Sequence, residues 1–291
     1  MAAGASDRMR PQLIRIHSED NDFQYAETLR RNRTKRQKHR EFFVEGVRPI
    51  NLALEHGWEI RAFLFSRERP LSGWAEGVLR QSAAKAHYEL PLHLMAKLSG
   101  KEETSELIAL AAMPPDDLSR IPVGEDLLVV VFDRPASPGN LGTIIRSCDA
   151  LGAHGLIVTG HAADVYSPEV VRGSTGSLFA TPVVRLTSHQ ELLPWFDVIQ
   201  TAIGDFQVVG SSARADTDLS ALNLMRPTVL VVGNETRGLS EAYRELCDVL
   251  IRIPMGGAAT SLNVACATSI MLYEVDAQRR EKSGRRRASR G

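Results

Sequence analysis

Continuous runs of valine, isoleucine and leucine dominate the second half of the chain, where longer segments of mixed polarity separate them. Runs of this kind are typical of strands that are covered on both faces of a sheet. The predicted strands are 127–133, 154–160, 182–186, 206–212, 228–233 and 249–254. The predicted helices are 140–151, 168–180, 188–202, 240–247 and 261–281. This order predicts an α/β fold with a mostly parallel sheet and helices on both faces.

The first half of the chain predicts a smaller α/β domain of about 100 residues. The segment FFVEGVRPINLALEHG starts as an apolar strand and continues as a helix that ends near Gly57. The other elements are predicted helices at 25–40, 74–86 and 92–98 and predicted strands at 60–66 and 106–113. The predicted domain organisation is a basic N-terminal extension (1–40), a small domain (41–113), a linker rich in proline (114–126), a larger domain (127–278) and a basic tail (279–291).

The composition excludes several classes of protein. Hydrophobic residues make up 43% of the chain, enough for a sizeable core. The apolar runs are short, such as Leu127 to Phe132, and the N-terminus MAAGASDRMRPQ lacks the apolar stretch of a signal peptide. Cys148, Cys247 and Cys266 lie far apart and show no metal-ligand spacing. We therefore expect a cytoplasmic protein with no membrane partner, no metal site and reduced thiols.

The formal net charge is zero, but the cations are clustered. Seven of them, with no acid among them, occupy one short segment: Arg30, Arg31, Arg33, Lys35, Arg36, Lys38 and Arg40. Seven more lie between Arg279 and Arg290 against the single acid Glu281, so the rest of the chain is acidic. We interpret the first cluster as an RNA-binding segment, because clustered cations neutralise phosphates. The second fits either RNA contact or a solvated chain end.

Ligands of parallel sheets bind at the carboxyl ends of the strands, so the loops after 133, 212, 233 and 254 are where chemistry is expected. The first loop leads through Pro138 and Gly139 into a helix that contains Asn140 and Arg146. A surface salt bridge is the alternative role for Arg146.

The second and third loops are rich in small residues. The second, from Gly233 to Ser240, holds Glu235 and Gly238; the third begins at Ile253-Pro254-Met255 and enters a helix at Ser261-Leu262-Asn263. Ser261 and Asn263 fit helix capping, although asparagine in a first turn hints at another role. Neither a G-x-G-x-x-G motif nor a P-loop is present, which argues against a nicotinamide or nucleoside triphosphate enzyme.

In this order, the three segments resemble the motifs of the SpoU (TrmH-like) branch of the SPOUT RNA methyltransferases. The first motif, N-x-G-x-x-x-R, is matched by Asn140, Gly142 and Arg146, and the second, G-x-E-x-x-G, by Gly233, Glu235 and Gly238. The third, I-P-M followed by S-L-N-V, is matched by Ile253, Pro254, Met255, Ser261, Leu262, Asn263 and Val264. The segment FFVEGVRPINLALEHG resembles the small L7Ae-like substrate-binding domain that precedes many members, so the resemblance covers residues 40–275.

The resemblance implies a fold with a deep trefoil knot, a homodimer, and transfer of a methyl group from S-adenosylmethionine to a ribose 2′-hydroxyl of RNA. The cofactor-binding residues it implies are Ser212, Ala213, Gly233, Asn234, Gly238, Ile253, Met255, Ser261 and Leu262. The catalytic residues it implies are Arg146, Asn140, Glu235, Ser261 and Asn263. Because a guanidinium stays protonated, Arg146 is better suited to hold a phosphate and stabilise a developing alkoxide than to act as a base. For Glu235, orienting the loop through backbone amides and moving a proton are both open.

Length and the basic leader resemble members that act on ribosomal RNA, in particular antibiotic-resistance enzymes that methylate a uridine ribose of 23S rRNA. The alternatives are a housekeeping ribosomal or transfer RNA 2′-O-methyltransferase and, in a different class, a non-catalytic RNA-binding or ribosome-assembly factor on the same fold. Intact Arg146, Ser261 and Asn263 argue against the non-catalytic alternative.

Overall fold

The computed structural model of the protein describes the backbone of residues 11–288 and the side chains of residues 11–281. The predicted basic tail from Lys282 onward therefore lies outside the described side chains. The chain forms two compact units. Of the described residues, the first comprises 11–114 together with Tyr166–Phe179, and the second comprises Pro115–Val165 and 180–288.

The elements of both units are numbered in chain order. The strands are β1 (Gln12–Arg15), β2 (Glu41–Glu45), β3 (Ile60–Phe65), β4 (Ala86–Glu89), β5 (Leu107–Ala112), β6 (Leu128–Asp133), β7 (Gly155–Thr159), β8 (Val183–Leu186), β9 (Gln207–Ser211), β10 (Thr217–Asp218), β11 (Thr228–Val232) and β12 (Val249–Arg252). The helices are α1 (Asn21–Arg31), α2 (Arg33–His39), α3 (Val47–Glu55), α4 (Gly73–Gln81), α5 (Leu92–Leu98), α6 (Pro138–Ala150), α7 (Pro168–Gly173), α8 (Ser177–Ala180), α9 (Leu193–Ile203), α10 (Glu241–Leu246) and α11 (Val264–Ala288).

The first unit is built on a five-stranded mixed sheet in the order β1-β4-β3-β5-β2. Strands β1, β4 and β3 are parallel, and β5 runs antiparallel to both β3 and β2. Phe23 and Leu29 of α1 pack with Leu94 of α5 in the core of this unit. The prediction of an N-terminal extension is corrected here, because β1 extends the sheet and α1 buries an apolar face on it.

The predicted helix 25–40 is two helices that meet at Asn32. Asn32 leaves the helical conformation with φ −121° and ψ 110°, and its side chain accepts a hydrogen bond from the amide of Lys35. The charge pattern is continuous across this break, so the sequence did not reveal it. The asparagine ends one helix and caps the next, as this residue type favours.

The segment 166–179 lies within the chain of the predicted larger domain but packs in the first unit. The ring of Tyr166 lies 4.8 Å from that of Phe42, and the rings of Trp58 and Phe179 lie 5.0 Å apart. The indole Nε1 of Trp58 also donates to the carbonyl of Phe179 at 2.9 Å. These contacts correct the predicted boundary, because aromatic packing rather than chain order decides where the segment lies.

The second unit contains a seven-stranded sheet in the order β10-β12-β9-β11-β6-β7-β8, with every pairing parallel. Val129 and Val131 of β6 pack with α9 on one face. The alternate residues of β6, Leu128 and Val130, are also buried, and α6 contacts α11. The predicted parallel α/β fold is confirmed, and its strands are uniformly apolar because both faces are covered. The trefoil knot stays a prediction of the resemblance.

Arg279, the first cation of the predicted basic tail, ties helix α11 to the residues that precede β6 and β11. Its guanidinium donates to the carbonyls of Asp126 at 2.6 Å, Arg226 at 3.0 Å and Leu127 at 3.1 Å. Arg279 is therefore a half-buried structural residue and belongs with the folded unit. The neighbouring Arg280 instead forms an exposed pair with Asp276, four residues earlier, at 2.8 Å.

We expect Arg279→Ala to lower the free energy of unfolding by about 1–3 kcal/mol, because several half-buried carbonyls lose a charged donor. Arg280→Ala, which removes the same charge from the adjacent position, should change it by less than about 0.5 kcal/mol. Urea unfolding followed by circular dichroism measures both variants. Equal effects of the two substitutions would contradict the anchoring role.

Candidate active site

Four loops meet at one edge of the second sheet. Strands β12, β9, β11 and β6 are neighbours and parallel, so their carboxyl ends point to the same edge. The loops that follow them contain residues of the three sequence motifs and the predicted cofactor-binding residues Ser212 and Ala213. The sheet order thus brings together segments that are more than 100 residues apart in sequence.

Glu235 joins the loop after β11 to the start of α6. Its Oε2 accepts a hydrogen bond from the amide of Ala136 at 2.9 Å, and its Oε1 accepts from the amide of Ser137 at 2.9 Å and from Nδ2 of Asn140 at 3.2 Å. Burial raises the pKa of Glu235, but these donors outweigh it and hold the pKa below its ordinary value. Glu235 is therefore an ionised anchor for the loop.

A chain of side-chain amides extends this connection to the third motif. The Oδ1 of Asn140 accepts from Nδ2 of Asn263 at 3.0 Å. The Oδ1 of Asn263 in turn accepts from the amides of Ala265 at 2.8 Å and Cys266 at 3.4 Å and so caps α11. Asn263 thus caps the helix with its oxygen and binds Asn140 with its nitrogen.

The loop after β11 closes tightly on itself at Gly233. A Cβ at this position would lie 2.2 Å from the main-chain atoms of Gly238 and Leu239, so only glycine fits. The backbones of Asn234 and Gly238 exchange two hydrogen bonds, at 3.1 and 2.9 Å. The side chain of Asn234 accepts from the amides of Thr236 and Arg237 and donates to the carbonyl of Arg134. Its geometry is that of a residue that shapes the loop.

Asp133 and Arg134 also anchor this loop. The sequence analysis did not single out either residue. The carboxylate of Asp133 is buried, and the guanidinium of Arg134 grips it with two hydrogen bonds of 2.9 Å. Asp133 also accepts from the amide of Ser240 at 3.0 Å. The sequence signal for this pair is the acidic residue Asp133 at the end of an otherwise apolar strand, because a buried carboxylate needs a partner.

The loops enclose a cavity of about 440 Å³. All nine residues predicted to bind a cofactor line it: Ser212, Ala213, Gly233, Asn234, Gly238, Ile253, Met255, Ser261 and Leu262. Within the described chain, the amides of Met255, Ser261 and Leu262 form no hydrogen bond, so they are available to a ligand. The volume and the free main-chain groups suit a nucleoside-sized molecule that is recognised by backbone donors and acceptors.

Four arginines outside the predicted site residues also line the cavity: Arg214, Arg237, Arg244 and Arg252. Arg252 is neutralised by Asp218, whose Oδ1 lies 2.7 Å from its Nε. The only sequence signal for these four arginines is their position near the motifs, because arginine is common throughout this chain.

Four of the five predicted catalytic residues lie at the cavity or beside it. Glu235 and Ser261 line the cavity, and Asn140 and Asn263 are bonded to each other beside it. Arg146 is not brought to this cluster. It lies on the exposed face of α6 with Thr143 and Ala150, and it forms no hydrogen bond or ion pair with the part of the chain that the structure describes.

The seven predicted RNA-binding cations are not equivalent. Arg36 is buried, and its Nη1 donates to the carbonyls of Leu29 at 2.8 Å and Arg30 at 2.9 Å. Arg40 adopts a left-handed conformation with φ 56° and donates to the carbonyl of Pro114. Arg36 and Arg40 therefore stabilise the first unit, whereas Arg31, Arg33, Lys35 and Lys38 are exposed. Arg30 is intermediate.

The described residues contain neither a cluster of metal ligands nor a membrane-spanning helix. Among them, no group of three or more His, Cys, Asp or Glu side chains is placed to hold a metal ion. Within the same residues, no helix combines the length and the apolar character needed to cross a bilayer.

Comparison with known proteins decides the family. Residues 127–273 match the SpoU rRNA Methylase family, and residues 20–109 match the SpoU L30e-like domain. The chain belongs to the SpoU rRNA methylase family. This confirms the resemblance drawn from the three motifs, and the second match shows that the small substrate-binding-like domain accompanies them.

SpoU relatives match over nearly the whole chain. A 23S rRNA (uridine(2479)-2′-O)-methyltransferase of Streptomyces viridochromogenes is 49% identical over 279 residues, which are 96% of this chain and 97% of that protein. The crystal structure of the SpoU methyltransferase AviRb of the same organism, in complex with AdoMet, matches with 48% identity and a TM-score of 0.83, covering 90% of this chain and 100% of that one. An AdoMet-bound rRNA methyltransferase of Sinorhizobium meliloti matches with 30% identity and a TM-score of 0.81, covering 91% and 97%.

The Glu235 network predicts a pH-dependent stability. Glu235→Gln places an amide donor against a backbone donor, and we expect a loss of about 1–3 kcal/mol at pH 7. Because the folded pKa is lowered, the carboxylate stabilises the fold above its ordinary titration range, and this contribution is lost as the pH falls through the lowered value. The gap between wild type and variant should therefore shrink below about pH 4.

Urea unfolding between neutral and acidic pH measures this gap. Glu245→Gln, which removes an exposed carboxylate from the neighbouring α10, is the matched control and should change stability by less than about 0.5 kcal/mol. A gap for Glu235→Gln that stays constant down to pH 3 would show that the carboxylate does not bind the loop in its ionised form.

Proposed function

We propose that this protein transfers a methyl group from S-adenosylmethionine to the 2′-hydroxyl of a uridine in 23S rRNA. The observation that carries the proposal is the cavity at the sheet edge, where all nine predicted cofactor residues meet and the three motifs are joined by Glu235, Asn140 and Asn263. The near full-length similarity to a 23S rRNA uridine 2′-O-methyltransferase supports the choice of substrate. A ribosomal substrate places the reaction in the cytoplasm.

The cofactor supplies a methyl group activated by a sulfonium. In this proposal the main chain of Gly233, Ile253 and Leu262 would hold it, and the tight turn at Gly233 would let the backbone approach closely. Ser212 and Ala213 also line the cavity. Fixing the cofactor against rigid loops favours transfer, because the reacting atoms are aligned before the reaction begins.

Glu235 holds the motif loops together in this reaction and does not take up the hydroxyl proton. Both of its oxygens accept hydrogen bonds, and its lowered pKa makes it a poor base. Of the two roles left open by the sequence, the geometry therefore favours loop orientation. The hydrogen bonds of Asn140 and Asn263 extend this connection to the start of α11.

Arg146 is proposed to meet the RNA rather than the cofactor. Its side chain is exposed on α6 and has no partner within the described residues, so its guanidinium is free to bind a phosphate. A guanidinium keeps its proton at neutral pH and stabilises the oxygen as negative charge develops on it. The proton of the hydroxyl then passes to water or to a phosphate oxygen.

We also propose that the protein acts as a homodimer that uses the exposed side of the second unit. Ile270 and Tyr273 of α11 are 40% and 58% exposed, and Met255 and Leu262 beside the cavity are exposed as well. Ile270 and Tyr273 are three residues apart and share one face of α11, and exposed apolar side chains on one face are typical of an interface between protein chains. Antibiotic resistance is the biological role that the resemblance suggests, and housekeeping methylation of ribosomal RNA is the alternative.

Mapping the modification tests the proposed function. The protein is incubated with labelled S-adenosylmethionine and unmodified 23S rRNA, and 2′-O-methyl groups are located by primer extension. We expect one methylated uridine and no loss of activity when EDTA is added at constant ionic strength. Unchanged RNA under these conditions would favour the non-catalytic alternative.

We expect Arg146→Ala to reduce the single-turnover rate by about 100-fold or more while leaving unfolding and cofactor affinity unchanged, because the exposed side chain supports neither the fold nor the cavity. Arg146→Lys should restore little, since lysine lacks the planar fork that grips two phosphate oxygens. Arg80→Ala, an exposed arginine of α4, is the control. Near-normal turnover by Arg146→Ala would remove Arg146 from the catalytic residues.

We expect Ile270→Glu to convert the dimer to a monomer at micromolar concentration, because a charge at the centre of an apolar contact is desolvated without a partner. Val198→Glu changes an exposed β-branched residue of α9 in the same way and should leave the dimer intact. Light scattering measures the mass of both variants. A monomeric wild type would refute the dimer.

A further inference from the structure

A second cavity, of about 310 Å³, lies in the first unit and is lined by cations from three parts of the chain. Arg30, Arg31 and Arg36 come from α1 and α2, Lys101 follows α5, and Arg172 belongs to α7. Glu45 and Glu169 are the acids in its wall. Segments that lie far apart in sequence thus build one basic pocket.

Gly100 lines this pocket. A Cβ at residue 100 would lie 3.5 Å from Oε2 of Glu45, 3.6 Å from Nη2 of Arg30 and 4.0 Å from Nη2 of Arg172. Two guanidinium groups and one carboxylate therefore approach one point from different elements. Arg30 is held by the carbonyl of Lys97 at 2.9 Å, and Arg172 reaches the carbonyl of Gly100 at 3.4 Å. The absence of a side chain at Gly100 keeps the space between them open.

The carboxylate of Glu45 at this point is held by neutral donors and keeps its charge. Glu45 accepts hydrogen bonds from the hydroxyl of Ser99 and from the amide of Gly100, at 2.9 Å in the second case. Lys101 adds a further positive charge to the lining of the pocket. The wall thus carries more positive than negative side chains, and the guanidiniums offer donors beyond their contacts with carbonyls.

We propose that this pocket binds a phosphate group of the RNA strand, with Arg30, Arg172 and Lys101 as its ligands. The proposal rests on the function proposed above and gives the substrate a second attachment point, separate from the cofactor cavity. Converging guanidiniums on a fixed frame suit a phosphate, which offers several acceptor oxygens in different directions. Phosphate contacts of this kind position RNA without reading its sequence.

The pocket also explains why the segment 166–179 belongs to the first unit. The packing of Tyr166 on Phe42 and the hydrogen bond from Trp58 to Phe179 fix this segment in place. Arg172 is thereby carried to the side of Arg30, which no single helix of the basic segment could achieve. The predicted RNA-binding cluster is therefore extended by two cations that lie outside residues 30–40.

A pair of substitutions at Gly100 tests the proposal. Gly100 has no positive φ, and its nearest neighbours lie at ordinary contact distance, so both aspartate and asparagine fit. Gly100→Asp places a carboxylate beside the two guanidiniums and Glu45, where it competes with a phosphate for the guanidinium donors, whereas Gly100→Asn has the same shape without the charge. Binding of 23S rRNA is measured by filter retention from 50 to 300 mM salt, and thermal unfolding shows that both variants fold.

We expect Gly100→Asp to bind RNA about tenfold more weakly than Gly100→Asn at moderate salt. The slope of log K against log salt should fall by about 0.7–0.9 for each phosphate that the variant no longer neutralises. Equal affinities of the two variants would overturn the proposal. If either variant unfolds, Arg172→Gln replaces the pair, with Arg80→Gln as an equal loss of charge elsewhere on the first unit. A weaker affinity for Arg172→Gln alone supports the pocket, and equal affinities overturn it.

Further measurements separate this proposal from the proposed function. Methyl transfer by Gly100→Asp should show a raised KM for RNA with kcat and cofactor affinity unchanged. A wild type that binds RNA with the expected difference between the variants but transfers no methyl group would refute the proposed function and support the pocket. Methylation of RNA by the wild type, together with equal RNA affinities of the two Gly100 variants, would support the proposed function and refute the pocket. A difference seen only with uridine monophosphate or inorganic phosphate would assign the pocket to a free anion and overturn the RNA proposal.

Discussion

The carboxylate of Glu235 is the contact on which the active-site architecture depends. Loops rich in glycine and other small residues have little side-chain packing of their own, and their order must come from hydrogen bonds. Glu235 accepts hydrogen bonds from two backbone amides and from Asn140, and Asn140 continues the connection to Asn263. Because the donors are fixed by α6 and the acceptor by the loop after β11, the three motifs form one rigid frame around the cavity.

Asp133 and Arg134 anchor this frame, although the backbone of Arg134 is strained. Arg134 adopts a left-handed conformation with φ 53° and still grips the buried carboxylate of Asp133 with two hydrogen bonds. Asp133 in turn holds the amide of Ser240, where the loop ends. The loop is therefore tied at its tip by Glu235 and at its exit by Asp133. A binding site with rigid walls loses little conformational entropy when a ligand enters.

The cations of the first unit show how burial separates residues that look alike in sequence. Arg36 and Arg30 belong to the same basic cluster, yet Arg36 is buried against main-chain carbonyls while a guanidinium nitrogen of Arg30 points toward Gly100. The same holds at the other end of the chain, where Arg279 anchors α11 and Arg280 faces solvent. A count of charges thus overestimates the number of groups that a polyanion meets.

The sequence by itself determined the parallel sheet, the order of its elements and the motif residues that line the cavity, because apolar runs and glycine-containing loops are local features. It did not determine the break at Asn32, the folding of residues 12–40 into the first unit or the packing of segment 166–179 in that unit. Nor did it show that Glu235 is held ionised or that Arg172 stands beside Arg30. These features depend on contacts between residues distant in the chain, which only tertiary packing creates.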